Sequence, residues 1–196
     1  MGTTTTGPIT LSREVEATQI PNGWRMKLPA GSAVRIMQSL GGSYTVTTEI
    51  GYMVRIDAKD ADALGITPAE QQPASPTPGE FNEKMAWEQM KNVYDPEIPV
   101  NIVDLGLIYA CDIKDVEGGK RIEVKMSMTA PGCGMGDILR GDVYNKLSRL
   151  PGVKQVQVDI VFDPPWNPRM MSEAARLKLG LDLDPMDDSG MPTYPR

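Results

Sequence analysis

Hydrophobic and polar residues alternate along residues 8–66 with the period of two that is typical of half-buried β-strands. Trp24, Met26 and Leu28 form the first such run, in which they alternate with Arg25 and Lys27. The same period recurs in three later runs, which contain Val34 and Ile36, then Tyr44 and Val46, then Tyr52, Val54 and Ile56. Turn sequences rich in Gly, Pro and Asn separate the runs. The pattern predicts a small all-β N-terminal module, of barrel or sandwich type.

Three later segments are predicted to be helices, and two of them have the spacing of apolar residues that is typical of amphipathic helices. Thr77-Pro78-Gly79-Glu80 supplies an N-cap, a proline suited to the first turn and a capping-box glutamate, so it predicts the start of a helix that Asp95-Pro96 ends. A second helix is predicted from Asp137 to Leu150, and a third from Pro168 to Leu179 behind an Asn167 cap. The inner stripes of the first two contain Ala86, Met90 and Val93, and Leu139, Val143, Leu147 and Leu150.

The segments between these helices have the period of two that is typical of β-strands. Apolar residues alternate from Leu107 to Ile113 and from Ile122 to Met128, and Gly118-Gly119 between them predicts a hairpin. A third strand is predicted from Val156 to Phe162. The order helix, strand, strand, helix, strand, helix predicts an α/β (α+β) domain, in which a small mixed three-stranded sheet is flanked by helices.

Composition divides the chain into four parts. Residues 67–79 contain four prolines, at positions 68, 73, 76 and 78, which predicts a stiff linker. Residues 181–196 carry four aspartates among Pro, Gly and Ser, which predicts a disordered tail. We therefore expect an N-terminal module at 8–66, a linker at 67–79, an α/β domain at 80–180 and a tail at 181–196.

Charge and residue counts exclude several classes of function. The net charge of −6 argues against a nucleic-acid partner, and no apolar run is long enough to cross a membrane. With no apolar leader after Met1, we expect a cytoplasmic protein. Zero histidines exclude Ser-His-Asp and Cys-His catalysis and His-ligated zinc, and two cysteines are too few for a four-cysteine cluster within one chain.

A cysteine lies in the densest candidate motif, Thr129-Ala-Pro-Gly-Cys-Gly-Met-Gly-Asp137, which follows a predicted strand and leads into a predicted helix. A helix N-terminus favours the thiolate of Cys133, which is the form that binds metals and attacks electrophiles. The alternative is that Cys133 is a small apolar plug. The glycines do not have the spacing of a dinucleotide fingerprint, and no Gly-Lys-Ser/Thr sequence occurs, so we expect no nucleotide.

Asp95, Glu97 and Asp104 place three carboxylates within ten residues, in a loop stiffened by prolines. Such carboxylates can hold a cation, although each also has an ordinary structural explanation as a helix stop, a solvated side chain or a turn cap. Cys111 is predicted to be a buried structural cysteine. Trp166, in a proline-rich turn, covers the cysteine motif, docks a partner or packs on the domain, and the sequence leaves these alternatives open.

The motifs of the C-terminal part resemble those of the small domain associated with iron–sulfur protein maturation. They are Asp95-Pro-Glu-Ile, Val103-Asp-Leu-Gly-Leu-Ile, Thr129-Ala-Pro-Gly-Cys and Asp163-Pro-Pro-Trp. The N-terminal module resembles the extension of SufT-type proteins through Leu28-Pro-Ala-Gly, Leu40-Gly-Gly-Ser-Tyr-Thr-Val and Asp62-Ala-Leu-Gly. The resemblance covers roughly residues 8–180.

The resemblance implies a non-enzymatic factor that helps to deliver iron–sulfur clusters to client apoproteins, alongside assembly proteins of the SUF system. It places the family's reactive cysteine at Cys133 and its acidic cleft at Asp95, Glu97 and Asp104. Thr129, Gly132 and Gly134 belong to the cysteine motif.

A single thiolate is too few for a stable cluster, so we expect Cys133 to bind iron or a cluster transiently. The further ligands would come from a second copy of the chain in a homodimer, a small thiol or the client. Two alternatives stay open: a thiol-dependent enzyme with Cys133 as nucleophile, and an adaptor that recruits clients without a metal.

Overall fold

A computed structural model describes residues 7–66, 81–132 and 134–181. We call residues 7–66 the N-terminal module and residues 81–181 the C-terminal domain. The predicted linker, the predicted tail beyond residue 181 and Cys133 lie outside the described residues. In the described ranges, none of the helices has the length and apolar character that a membrane span requires.

One six-stranded antiparallel sheet forms the N-terminal module, with strand order β1-β4-β5-β6-β2-β3. Its strands are Ile9–Thr10 (β1), Val15–Gln19 (β2), Arg25–Leu28 (β3), Ala33–Leu40 (β4), Ser43–Thr48 (β5) and Met53–Asp57 (β6). A 3-10 helix, Ala58–Leu64, follows the last strand. The prediction of an all-β module is confirmed, but the strands form neither the two sheets of a sandwich nor, among the described pairings, a closed barrel.

Alternation along the central strands decides what each face of this sheet contacts. Tyr44, Val46, Val54 and Ile56 point into the module's own core and are completely buried. Thr45 and Arg55 point to the opposite face, as the period of two requires, yet are only 4% and 6% exposed. The outer face of the sheet is therefore covered as well, and the contacts described below show that the C-terminal domain covers it.

Trp24 and Tyr52 do not lie in the core, although the alternating pattern included them. The exposed fraction is 68% for Trp24 and 46% for Tyr52. Each residue lies just before a strand, β3 or β6, where the chain has not yet joined the sheet. The period of two continues in the sequence beyond the residues that the sheet pairs, and this explains the error.

The C-terminal domain contains the predicted order of elements around a three-stranded sheet. Its helices and strands are Glu83–Met90 (α1), Ile108–Val116 (β7), Gly119–Met126 (β8), Gly136–Leu147 (α2), Val153–Ile160 (β9) and Glu173–Lys178 (α3). β7 and β8 form the predicted antiparallel hairpin, and β9 lies parallel to β8. The mixed α+β fold is confirmed. Its core contains Ile122, Val124 and Met126 from β8 and Leu139, Val143 and Leu147 from α2.

The first helix is shorter than predicted at both ends. It begins at Glu83, because the side chain of Asn82 accepts a hydrogen bond from the backbone N–H of Met85, and not at the Thr77 motif. It ends at Met90, where the chain turns so that Val93 enters the core, and not at Asp95-Pro96. Ala86, Met90 and Val93 are buried, so the predicted stripe is confirmed.

The predicted third helix is divided into two short pieces. Asn167 caps a 3-10 turn at Pro168–Met170, after which Met171 adopts an extended conformation. Ser172 then caps α3, and its backbone N–H donates to the carbonyl of Asp104. This contact with the loop before β7 breaks the helix.

Several other predicted boundaries are wrong. The three strands of this domain are predicted at 107–113, 122–128 and 156–162, and each is shifted or lengthened in the structure. α2 ends at Leu147 and not at Leu150, although Leu150 is buried in the core. Phe162 lies beyond the end of β9 and is 47% exposed.

Candidate functional site

Asp95 organises the loop that joins α1 to β7, residues 95–104, which we call the acidic loop. Its Oδ1 atom accepts hydrogen bonds from the backbone N–H groups of Glu97, at 2.8 Å, and Ile98, at 3.0 Å. Its own N–H donates to the carbonyl of Val100. These bonds close a tight turn that contains Pro96 and Pro99, so the sequence forms a rigid loop and not a flexible connection.

Negative charge in this loop is not neutralised by the described part of the protein. Asp95 is only 6% exposed, and burial raises the pKa of its carboxyl even though two N–H groups stabilise the charged form. The pKa of Glu97 is also raised, first by partial burial and then by the nearby charge of Asp95. Among the described residues, neither carboxylate forms an ion pair. A cation bound here would favour both charged forms.

Asp104 lies in the same loop but has a different partner. Its Oδ2 accepts a hydrogen bond of 2.6 Å from the side-chain amide of Asn101, and its backbone N–H donates to the Oδ1 of Asn101 at 2.8 Å. Within the described ranges, no three Cys, Asp or Glu side chains are grouped so as to hold a metal ion. The three carboxylates are therefore not brought together, and their roles as metal ligands stay predictions.

The segment from Thr129 to Met135, which we call the cysteine loop, connects β8 to α2. Thr129 is half-buried, and its hydroxyl has no hydrogen-bond partner in the part of the chain that the structure describes. Gly132 is exposed and has a φ of 79°, a conformation that favours glycine. Because Cys133 is outside the described residues, its exposure and its role as a ligand stay predictions.

Gly134 is required by packing against the N-terminal module. A Cβ atom on Gly134 would lie 2.0 Å from the carbonyl oxygen of Asn22, and a Cβ on Gly23 would lie 2.1 Å from the carbonyl oxygen of Gly134. Two backbone segments therefore touch where the turn between β2 and β3 meets the cysteine loop. Only glycine at both positions allows this approach.

The N-terminal module also contacts the acidic loop. The side-chain amide of Gln38 donates to the carbonyl of Asp95, and the buried hydroxyl of Thr45 donates to the carbonyl of Pro96, both at 3.1 Å. Sequence analysis found no chemistry in this module. More than fifty residues separate each pair, so no local spacing in the sequence indicates these bonds.

A charged contact joins the two modules at α2. The guanidinium of Arg55 donates to Asp142 at 2.6 Å, and Asp57 lies at 3.4 Å from the same nitrogen. Burial nevertheless raises the pKa of Asp142, because desolvation outweighs the attraction of Arg55. The ammonium of Lys146 donates to the carbonyl of Gly41, and burial lowers its pKa.

Both Cys111 and Trp166 pack against the core of the C-terminal domain. Cys111 carries a free, half-buried thiol against the core, and burial raises its pKa to about 11, so very little thiolate exists near pH 7. The indole N–H of Trp166 donates to the carbonyl of Leu105 at 2.8 Å, and its ring packs on the core. Of the alternatives for Trp166, packing on the domain is the one observed.

Comparison with known proteins identifies the C-terminal domain. Residues 83–160 match the family described as iron-sulfur cluster assembly protein. An Fe-S protein maturation auxiliary factor of Porphyromonas gingivalis is 48% identical over 91 residues, which are 46% of this chain and 84% of that protein. The Fe-S protein maturation auxiliary factor SufT of Staphylococcus aureus is 38% identical over 89 residues, 45% of this chain and 98% of that protein.

A crystal structure of a domain of unknown function from Bacillus anthracis is also similar. It is 36% identical, covers 51% of this chain and 92% of its own, and has a TM-score of 0.45. The two auxiliary factors are thus matched over most of their length by less than half of this chain. The chain therefore belongs to the iron–sulfur cluster assembly family and is a SufT-type protein.

Proposed function

We propose that this protein is a maturation factor that assists the delivery of iron–sulfur clusters to client apoproteins, without catalysing a reaction of its own. The observation that carries the proposal is the 48% identity to an Fe-S protein maturation auxiliary factor across 84% of that protein. Its partners in this proposal are assembly proteins of the SUF type and apoproteins that need a cluster, and its compartment is the cytoplasm.

Cys133 is the proposed ligand through which the cargo, iron or a preformed cluster, is held. The residue follows Gly132 and comes shortly before α2, which begins at Gly136, and the N-terminus of a helix favours a thiolate over a thiol. Burial raises the pKa of Cys111 to about 11, which disfavours the thiolate form that binds iron. One thiolate holds a cluster weakly compared with the usual four, and weak ligation suits a cargo that must be passed on.

Oxygen ligands for an iron(II) ion would come from the acidic loop. The unneutralised charges of Asp95 and Glu97 favour a cation, and the Oδ2 atom of Asp95 accepts no hydrogen bond within the described part of the chain. Asp104 would contribute through the oxygen that Asn101 does not use. Thr129, Gly132 and Gly134 would shape the loop around the thiolate.

Anaerobic reconstitution with iron and sulfide tests this proposal directly. We expect the full chain to gain visible absorbance and bound iron, and we expect the C133S variant to lose both. The matched control is C111S, which removes the other thiol and should retain wild-type iron binding. Circular dichroism would verify that both variants remain folded.

Client maturation provides the second measurement. C133S should fail to support activation of an iron–sulfur client in cells that lack the wild-type protein, whereas C111S should support it. Full activation by C133S would contradict the ligand role and favour an adaptor. Multiple turnovers of a thiol substrate that depend on Cys133 would instead favour an enzyme.

A further inference from the structure

A polar cavity of about 280 Å³ lies between the outer face of the N-terminal sheet and the first half of α2. We call it the inter-module cavity. Thr18 and Arg55 line it from the sheet, and Asp137, Gly141 and Asp142 line it from the helix. Its volume is just below the lower end of the range for ligand pockets, which suits a molecule of only a few heavy atoms.

Arg55 is the most deeply buried charged group of this cavity. It is 6% exposed, and one of its terminal nitrogens is bonded to Asp142. Its Nε and its other terminal nitrogen are buried and have no hydrogen-bond partner in the described part of the chain. An unmet buried donor of a charged group destabilises a protein, and the planar fork of a guanidinium matches a carboxylate. These two nitrogens have almost no solvent-accessible surface in this conformation, so a small anionic group can accept from them only when the guanidinium turns toward the cavity.

Gly141 leaves space in the same cavity. It lies inside α2, where glycine is less favourable than alanine, and its φ is not positive. A Cβ atom at this position would meet no heavy atom within 4 Å. Neither the backbone nor the packing of the described residues requires glycine here, and its effect is to keep the cavity open.

The side chains that line the cavity carry charges of both signs, and this favours a ligand that also carries both signs. Three basic side chains, Arg25, Arg55 and Lys59, face four acidic ones, Glu16, Asp57, Asp137 and Asp142. A doubly charged phosphate would meet a lining that is already acidic overall, and a simple cation would leave the donors of Arg55 unmet. A small molecule with one carboxylate and one ammonium group satisfies both signs.

We propose that the inter-module cavity binds a free α-amino acid, whose carboxylate bonds to Arg55 and whose ammonium group is held by the acidic residues of the lining. This proposal does not depend on the function of Cys133. Because Arg55 belongs to the N-terminal module and Gly141 to α2, the bound molecule would contact both modules.

Calorimetry and thermal unfolding of the full, metal-free chain test the proposal with L-alanine and L-serine as probes. We expect saturable binding and a higher unfolding temperature with both amino acids. Propionate lacks the ammonium group and ethylamine lacks the carboxylate. The affinity of the protein for each should therefore be at least about tenfold lower than its affinity for L-alanine. Inorganic phosphate that binds as tightly as the amino acids would overturn the proposal, and so would the absence of binding by either amino acid.

Two variants locate the binding at this cavity. R55K keeps a cation beside Asp142 but removes the planar fork, so the affinity for L-alanine should fall about tenfold or more. G141L adds a side chain whose Cβ meets no heavy atom within 4 Å, so it should occupy the cavity and abolish binding without lowering the unfolding temperature of the free protein. R13K is the matched control, since Arg13 is exposed and lies outside the cavity, and it should bind normally. Wild-type affinity in R55K or G141L would overturn the proposal.

Discussion

Two of the contacts between the N-terminal module and the C-terminal domain have opposite electrostatics. At α2, the buried cation of Arg55 meets the carboxylate of Asp142 at 2.6 Å. At the acidic loop, the neutral side chains of Gln38 and Thr45 donate to backbone carbonyls. The first contact partly compensates a buried negative charge, since desolvation still raises the pKa of Asp142. The second leaves Asp95 and Glu97 without a cation among the described residues.

This difference separates a contact that holds the modules together from one that positions the proposed cation site. Hydrogen bonds from neutral side chains to backbone oxygens fix the path of the acidic loop without neutralising the charge of its carboxylates. A cation in place of Gln38 or Thr45 would stabilise Asp95 but would compete with a metal ion. The comparison predicts that substitutions at α2 mainly change stability, whereas substitutions in the acidic loop mainly change cation binding.

The largest expected effect is that of D142A. It leaves the buried guanidinium of Arg55 with only Asp57, which is 3.4 Å away and exposed, and breaking a buried ion pair costs about 3–5 kcal/mol. Since Asp142 keeps 27% of its side-chain exposure, we expect a loss of about 2–3 kcal/mol in the free energy of unfolding, measured with urea. D137A is the control: Asp137 is 82% exposed, and we expect a change below about 0.5 kcal/mol. Equal effects of the two variants would contradict the comparison.

A smaller loss is expected for T45V. Valine has nearly the shape of threonine but cannot donate to the carbonyl of Pro96, and a buried hydrogen bond contributes about 1 kcal/mol. Urea unfolding should show a loss of that size, with reduced iron binding if the loop moves. Thr47, two residues further along β5, has no hydrogen bond from its side chain to another described residue, so T47V should change stability less. A T47V loss as large as that of T45V would remove the argument for the loop contact.

The smallest expected effect, D95N, has the opposite sign. Asparagine keeps the oxygen that accepts from Glu97 and Ile98 but removes a charge that burial disfavours. Because burial raises the pKa of Asp95 in the folded state, ionisation lowers the wild type's stability as pH rises above about 4. D95N should therefore gain up to about 1 kcal/mol at pH 7, and the gain should disappear as pH falls below 4.

Iron binding distinguishes this explanation from a purely structural role of Asp95. The same D95N variant should bind iron(II) more weakly than the wild type, although it is more stable. A D95N variant that loses stability at pH 7, or that binds iron as the wild type does, would contradict the assignment of the acidic loop as an unneutralised cation site.

Sequence patterns predicted the elements that are set by local periodicity. Ile122, Val124 and Met126 alternate because one face of β8 is buried, and Leu139, Val143 and Leu147 follow the turn of α2. Boundaries were less accurate where a local signal competed with tertiary packing. The Thr77 motif satisfies the rules for a helix start, yet α1 begins behind Asn82.

Contacts between distant residues could not be predicted from spacing. Arg55 and Asp142 are separated by 87 positions, and their pairing depends on how two modules dock. The sequence did indicate the acidic loop, because Asp95, Glu97 and Asp104 are close along the chain. It could not indicate that Asp104 turns toward Asn101, since that choice depends on the local backbone conformation.

The touching backbones of Gly23 and Gly134 have an evolutionary consequence. A larger residue at either position cannot be accommodated by shrinking the other, because the opposing atoms are main-chain atoms. The two glycines are thus constrained separately, and neither constraint can be relaxed while the modules stay docked. In a homologue without the N-terminal module, position 134 could hold residues other than glycine. The residue at this position would therefore indicate whether the two modules are docked against each other.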